Sequence, residues 1–162
     1  MLAALLVAAL AASSSCSPRS QDGPATPSTE AIATDGATIS CANDPRAETY
    51  IPGLQAPGST GKLTFILLSA NPEPPALGLN AWAIGLRDAT GASLSSSALT
   101  TVKPWMPEHG HGPALAPTVT PADGGINMVG SLDFFMPGLW QVTLEAQAGS
   151  LSDTGVFTFC VE

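Results

Sequence analysis

The chain has 162 residues, enough for one domain once non-domain segments are set aside, and only 11% of them are charged. So low a charged fraction argues against a charged helical surface, and 15 Pro with 16 Gly argue for many turns and few long helices. A net charge of −8, with only five Lys and Arg, repels phosphate backbones and anionic headgroups and excludes nucleic acid as a partner.

The first element is the apolar run Leu2 to Ala12. Its eleven residues fall short of the roughly 20 that span a bilayer and match the h-region of an export signal, about 7–15 residues long. Ser13-Ser14-Ser15-Cys16 follows, small residues and then a cysteine, and resembles the lipobox of bacterial lipoproteins. That resemblance implies a signal peptide over 1–15 and a lipidated Cys16 as the mature N-terminus. No Lys or Arg precedes the run and Ser13 stands where Leu is usual, so plain cleavage near Ala9 to Ala12 is the alternative. Both readings export the protein. With lipid on Cys16 it is a membrane-anchored protein of the cell envelope, facing the periplasm or the cell surface. Residues 17–40 are rich in Pro, Ser, Thr, Ala and Gly and lack apolar periodicity, so they are expected to be a disordered tether. A flexible segment of that length spans roughly 25–30 Å on average.

From Cys41 to Glu162 the pattern is that of a folded domain. Leu63, Phe65 and Leu67 alternate, as do Trp82, Ile84 and Leu86, then Trp140, Val142 and Leu144, then Phe157, Phe159 and Val161. A period of two marks half-buried strands. Ile126, Met128, Leu132 and Phe134 alternate with a slip at Val129-Gly130 that predicts a bulge, and Met128 is expected in the core. Turn clusters separate the runs at 71–75, 88–91, 121–125 and 148–150. Weaker runs near 94–103 and 114–120 bring the total to about seven strands, an all-β sandwich whose strand order alternation leaves open. Three cysteines are an odd number for an exported chain. With Cys16 lipidated, Cys41 and Cys160 remain at the two ends of the domain and are expected to form a disulfide.

Enzyme signatures are missing: there is no GxSxG, HExxH or GxGxxG. Gly58-Ser59-Thr60-Gly61-Lys62 is too short for a phosphate loop, and a strand follows it, so it reads as a turn. The chain is expected not to be an enzyme. One stretch concentrates candidate chemistry: Trp105-Met106-Pro107-Glu108-His109-Gly110-His111-Gly112 holds both histidines. Downstream, Phe135-Met136-Pro137-Gly138-Leu139-Trp140 carries a second methionine in a tight turn. Imidazole suits copper in both oxidation states and thioether favours Cu(I), so Met106, His109, His111 and Met136 form a candidate copper set. The competing reading packs Met106 and Met136 beside Trp105 and Trp140 as gap-filling core side chains, with the histidines on a solvated loop. Zinc or nickel with Glu108 is a lesser alternative.

The two stretches together, WMPxHGHG and FxMPGxWQV after a Gly-Gly turn, resemble the YtkA-like domain family and its FixH-like relatives, over roughly residues 60–161. The resemblance implies a small exported immunoglobulin-like β-sandwich, often on a lipoprotein or membrane-tethered chain. It also implies an association with copper handling. The functional expectation is an envelope lipoprotein that binds copper. The alternative is an interaction or scaffold module with a protein partner in the envelope.

Overall fold

The computed structural model describes residues 40–162. The expected signal peptide, Cys16 and all of the expected tether except Ser40 lie outside the described residues. Eight strands follow one another: β1 (Leu54–Pro57), β2 (Leu63–Asn71), β3 (Gly78–Asp88), β4 (Ala98–Trp105), β5 (Thr118–Ala122), β6 (Ile126–Phe134), β7 (Gly138–Ala148) and β8 (Leu151–Val161). A 3-10 turn, Asp123–Gly125, joins β5 to β6. All pairings are antiparallel, in one sheet of order β1-β2-β3-β6-β5 and a second of order β4-β7-β8. Without β1, the order β2-β3-β6-β5 facing β4-β7-β8 is that of a seven-stranded immunoglobulin sandwich. The expected all-β sandwich is therefore present, with one more strand than alternation reveals. β1 escapes detection because its four residues, Leu-Gln-Ala-Pro, bury only Ala56 fully and carry no period.

The alternating residues make the core. Leu63, Phe65, Leu67, Trp82, Ile84, Leu86, Trp140, Val142, Leu144, Phe157, Phe159 and Val161 are all buried. Complete burial of each large apolar side chain stabilises the fold by about 1.5–3 kcal/mol. Trp82 is the hub: the rings of Phe134, Phe157 and Phe159 meet it edge-on at centroid distances of 6.1, 6.1 and 5.6 Å. Between the sheets, Asn127 Oδ1 accepts the Leu99 N–H at 3.1 Å, which satisfies a polar group that is 1% exposed.

Met128 is not in the core but 42% exposed. The bulge in β6 explains why. Trp82 pairs with Val129 while Asn80 pairs with Leu132, so β6 carries an extra residue between them, and Ser131 there has φ 55°. The extra residue inverts the phase of the strand. Leu132 and Phe134 point inward on one side of the bulge, and Asn127 and Val129 on the other, leaving Met128 outside.

The Gly58–Lys62 segment is a turn, as expected, and it holds an anion of the protein's own. The buried Asp153 carboxylate accepts the N–H groups of Thr60 (2.9 Å), Lys62 (2.8 Å) and Leu63 (3.1 Å) and the Ser59 hydroxyl (3.2 Å). A Cβ on Gly58 would collide with that carboxylate, so glycine is what lets the turn close over it. Burial pushes the Asp153 pKa up, but the backbone donors outweigh it and hold the carboxyl well below the usual range.

Cys41 and Cys160 form a disulfide with Cα atoms 5.3 Å apart, 119 residues apart in sequence. It ties the segment before β1 to the end of β8. Glu48 continues that attachment: its N–H donates to Thr158 O at 2.8 Å, and its carboxylate accepts the Thr158 N–H at 2.7 Å. Part of the free edge of β8 is covered in this way.

Candidate functional site

β4 and β7 run antiparallel, and Trp105 at the end of β4 pairs with Gln141 near the start of β7. The loop after β4 and the turn before β7 therefore share one end of the sandwich. That loop holds Met106, His109 and His111, and that turn holds Met136. The pairing brings together the two stretches singled out in the sequence.

The loop is closed on itself. The Met106 N–H donates to His111 O at 2.8 Å, and Met106 O accepts the N–H groups of His109 (3.2 Å) and Gly110 (2.9 Å). Met106 and His111 thus form an isolated bridge with four residues folded between them. Both imidazoles are brought to one side, with ring centroids 5.7 Å apart and planes at 48°. His111 stacks on Phe135 (5.6 Å, 24°), and Phe135 meets Trp140 edge-on at 5.5 Å. The Trp140 indole N–H donates to Met136 O at 3.0 Å, which fixes the turn. Gly138 in that turn has φ 139°, and a Cβ there would lie 2.6 Å from Met106 Cε. The Gly of the MPG run thus makes room for Met106.

The two methionines sit differently. Met106 is 0% exposed and belongs to the hydrophobic core. Met136 is half-buried and packs against that core. His109 is exposed and His111 half-buried. Beneath the loop, a cavity of about 50 Å³ is bounded by Cys41, Asp44, Met106, Glu108, His109 and Gly138, among others. His111 and Met136 do not border it. The four candidate ligands are gathered at one end, but they divide between the loop surface and the cavity.

Residues that the sequence reading did not single out hold this end together. Arg46 bonds both Asp44, at 2.7 Å, and Glu108 in the histidine loop. Its hydrogen bonds lower the Asp44 pKa to about 2, and both carboxylates raise that of Arg46. The only available signal was that Arg46 is one of five cations in the chain. Phe135 lay next to the MPG run, but nothing in the sequence pairs it with His111.

Among the described residues, no group of three or more His, Cys, Asp or Glu side chains is placed to hold a metal. No protein-family model matches the chain, and no curated protein or solved structure matches it either.

Proposed function

We propose that the protein is an exported lipoprotein with a YtkA-like domain that binds copper in the cell envelope through the histidine tip of its sandwich. The observation that carries this reading is the 5.7 Å separation of the His109 and His111 rings. Two imidazoles bound to one ion at about 2.0–2.1 Å hold their centroids roughly 5–6 Å apart, a spacing the pair already has. Met136, half-buried in the adjacent turn, and Met106, beneath the loop, would add soft sulfur donors suited to Cu(I). All four ligands are neutral, which favours a monovalent ion in a partly desolvated site. The bound ion would serve storage or delivery. The reading includes no catalytic step.

Competition titration of the full chain against chromophoric copper chelators tests this. His109→Ala and His111→Ala are expected to weaken Cu(II) by about tenfold or more, and Met136→Leu to weaken Cu(I) while nearly preserving packing volume. Met106→Leu also weakens Cu(I) if its sulfur reaches the ion from the cavity side. Acid weakens binding throughout, because protons compete for the imidazole lone pairs. If the wild-type chain fails to compete, or all four variants bind alike, the copper reading falls. The anchor is tested separately by the mass of the mature N-terminus, where lipid on Cys16 is expected and an unmodified Cys16 removes the lipoprotein reading.

A non-metal interaction module is the second reading. It is favoured by Leu77, Leu79 and Phe135, which are 49%, 67% and 46% exposed and lie at or beside the paired ends of β3 and β6.

A further inference from the structure

We propose that reduction of the Cys41–Cys160 disulfide opens a second, soft-metal site, in which the freed Cys41 sulfur joins Met106 and His109 around the cavity beneath the histidine loop. The proposal deepens the copper reading, with which it shares Met106 and His109, and it rests on that reading.

Three observations converge on the cavity. Its walls include a cysteine, a methionine and a histidine, whose side chains carry the donor types that select Cu(I). Its volume of about 50 Å³ accommodates a single ion. The hard donors on its wall, Asp44 and Glu108, are both engaged by Arg46, which leaves the soft donors free to set selectivity. Cys41 is 4% exposed and Met106 fully buried, so the sulfur side of the site would be shielded from water, with His109 on its exposed side. One thiolate against one monovalent cation leaves no net charge, which keeps the cost of burial low; a divalent ion would leave an unpaired charge.

While the disulfide is intact, the Cys41 sulfur is not available as a thiolate ligand. A dithiol reductant supplies two electrons and two protons. The S–S bond breaks, each sulfur becomes a thiol, and the reductant closes to its own disulfide. Cu(I) then replaces the proton on Cys41, forming one sulfur–copper bond and releasing one proton to water. The site thus exists only in the reduced protein, and metal binding there is coupled to the redox state of the bridge.

The test uses the full chain carrying Cys16→Ser, so that no third thiol contributes. Cu(I) is titrated anaerobically before and after reduction by a dithiol that is then removed, and the near-ultraviolet thiolate-to-copper absorption is followed. The absorption is expected to be absent from the oxidised chain and to appear on reduction with one equivalent of Cu(I). Adding Cys160→Ser frees Cys41 permanently, so the absorption should appear without reductant, whereas Cys41→Ser should abolish it. Met106→Leu and His109→Ala should each weaken the reduced site by about tenfold or more. The proposal is overturned if the absorption survives Cys41→Ser, or if Met106→Leu and His109→Ala bind as tightly as the parent. Loss of the β-sheet circular dichroism on reduction overturns it too, because the site needs its folded walls. The signal comes from the thiolate alone. An oxidised chain that binds no copper would remove the tip site and leave this result readable.

Discussion

Replacing Asp153 by alanine is expected to lower the unfolding free energy by about 2–4 kcal/mol, because several charge-assisted bonds are lost, among them that of the buried Leu63 N–H. The carboxylate accepts backbone N–H groups of Thr60, Lys62 and Leu63 in the turn between β1 and β2, while Asp153 itself belongs to β8. One side chain therefore fastens the five-stranded sheet to the three-stranded sheet. With it gone, the turn must either leave its N–H groups unsatisfied or open to water and expose Leu63, which is 1% exposed. Asp153→Asn keeps the shape but loses the charge and turns an amide donor toward other donors, so it should recover only part of the loss. The pH dependence follows from the lowered pKa. The folded state holds the carboxyl ionised more strongly than the unfolded chain does, so its contribution is complete above the ordinary aspartate pKa of about 4. That contribution is lost as the pH falls below this value toward the lower folded pKa. Urea unfolding at pH 7 and pH 3 measures both effects. A loss under 1 kcal/mol at pH 7, or a variant as acid-sensitive as the wild type, would contradict the clasp.

Removing the disulfide is the second large effect. A bridge across 119 residues restricts the unfolded chain over almost the whole domain. The chain-entropy estimate for such a loop is about 4–5 kcal/mol, an upper figure. For Cys41→Ser with Cys160→Ser, the thermal midpoint should drop by roughly 10–20 °C. The fold should survive, because the aromatic cluster around Trp82 does not involve the bridge. Calorimetry, with circular dichroism of the variant below its midpoint, checks both statements. An unchanged midpoint would mean that other contacts already hold the segment before β1 in place, and a variant unfolded at 25 °C would mean that the core alone is insufficient.

Much of the sandwich was legible because strands buried on one face write a period of two into the chain. Phe157, Phe159 and Val161 were placed correctly from that alone, as were Trp140, Val142 and Leu144. What alternation does not encode is a change of phase. The bulge between Val129 and Leu132 was signalled by Gly130, but which half of β6 points inward depends on pairing with β3, and so Met128 was misplaced. The tip was legible in part. Two Gly- and Pro-rich stretches announced turns with histidine and methionine. That they meet follows from β4 pairing with β7, a long-range choice that local pattern does not contain. The Asp153 clasp was invisible for the same reason. A lone aspartate in a strand reads as a surface charge until the turn that wraps it is brought across from 90 residues away.

The central claim is that His109 and His111 bind one copper ion between them. Electron spin echo spectroscopy of the full chain with one equivalent of Cu(II) counts the coordinated imidazoles. Two are predicted for the wild type, one after His109→Ala or His111→Ala, and none in the double variant. Modulation from two imidazoles that persists in the double variant is chemically impossible for this chain, which has no third histidine. The contradicting result is therefore a wild-type complex whose spectrum shows no imidazole, or a spectrum that neither substitution changes.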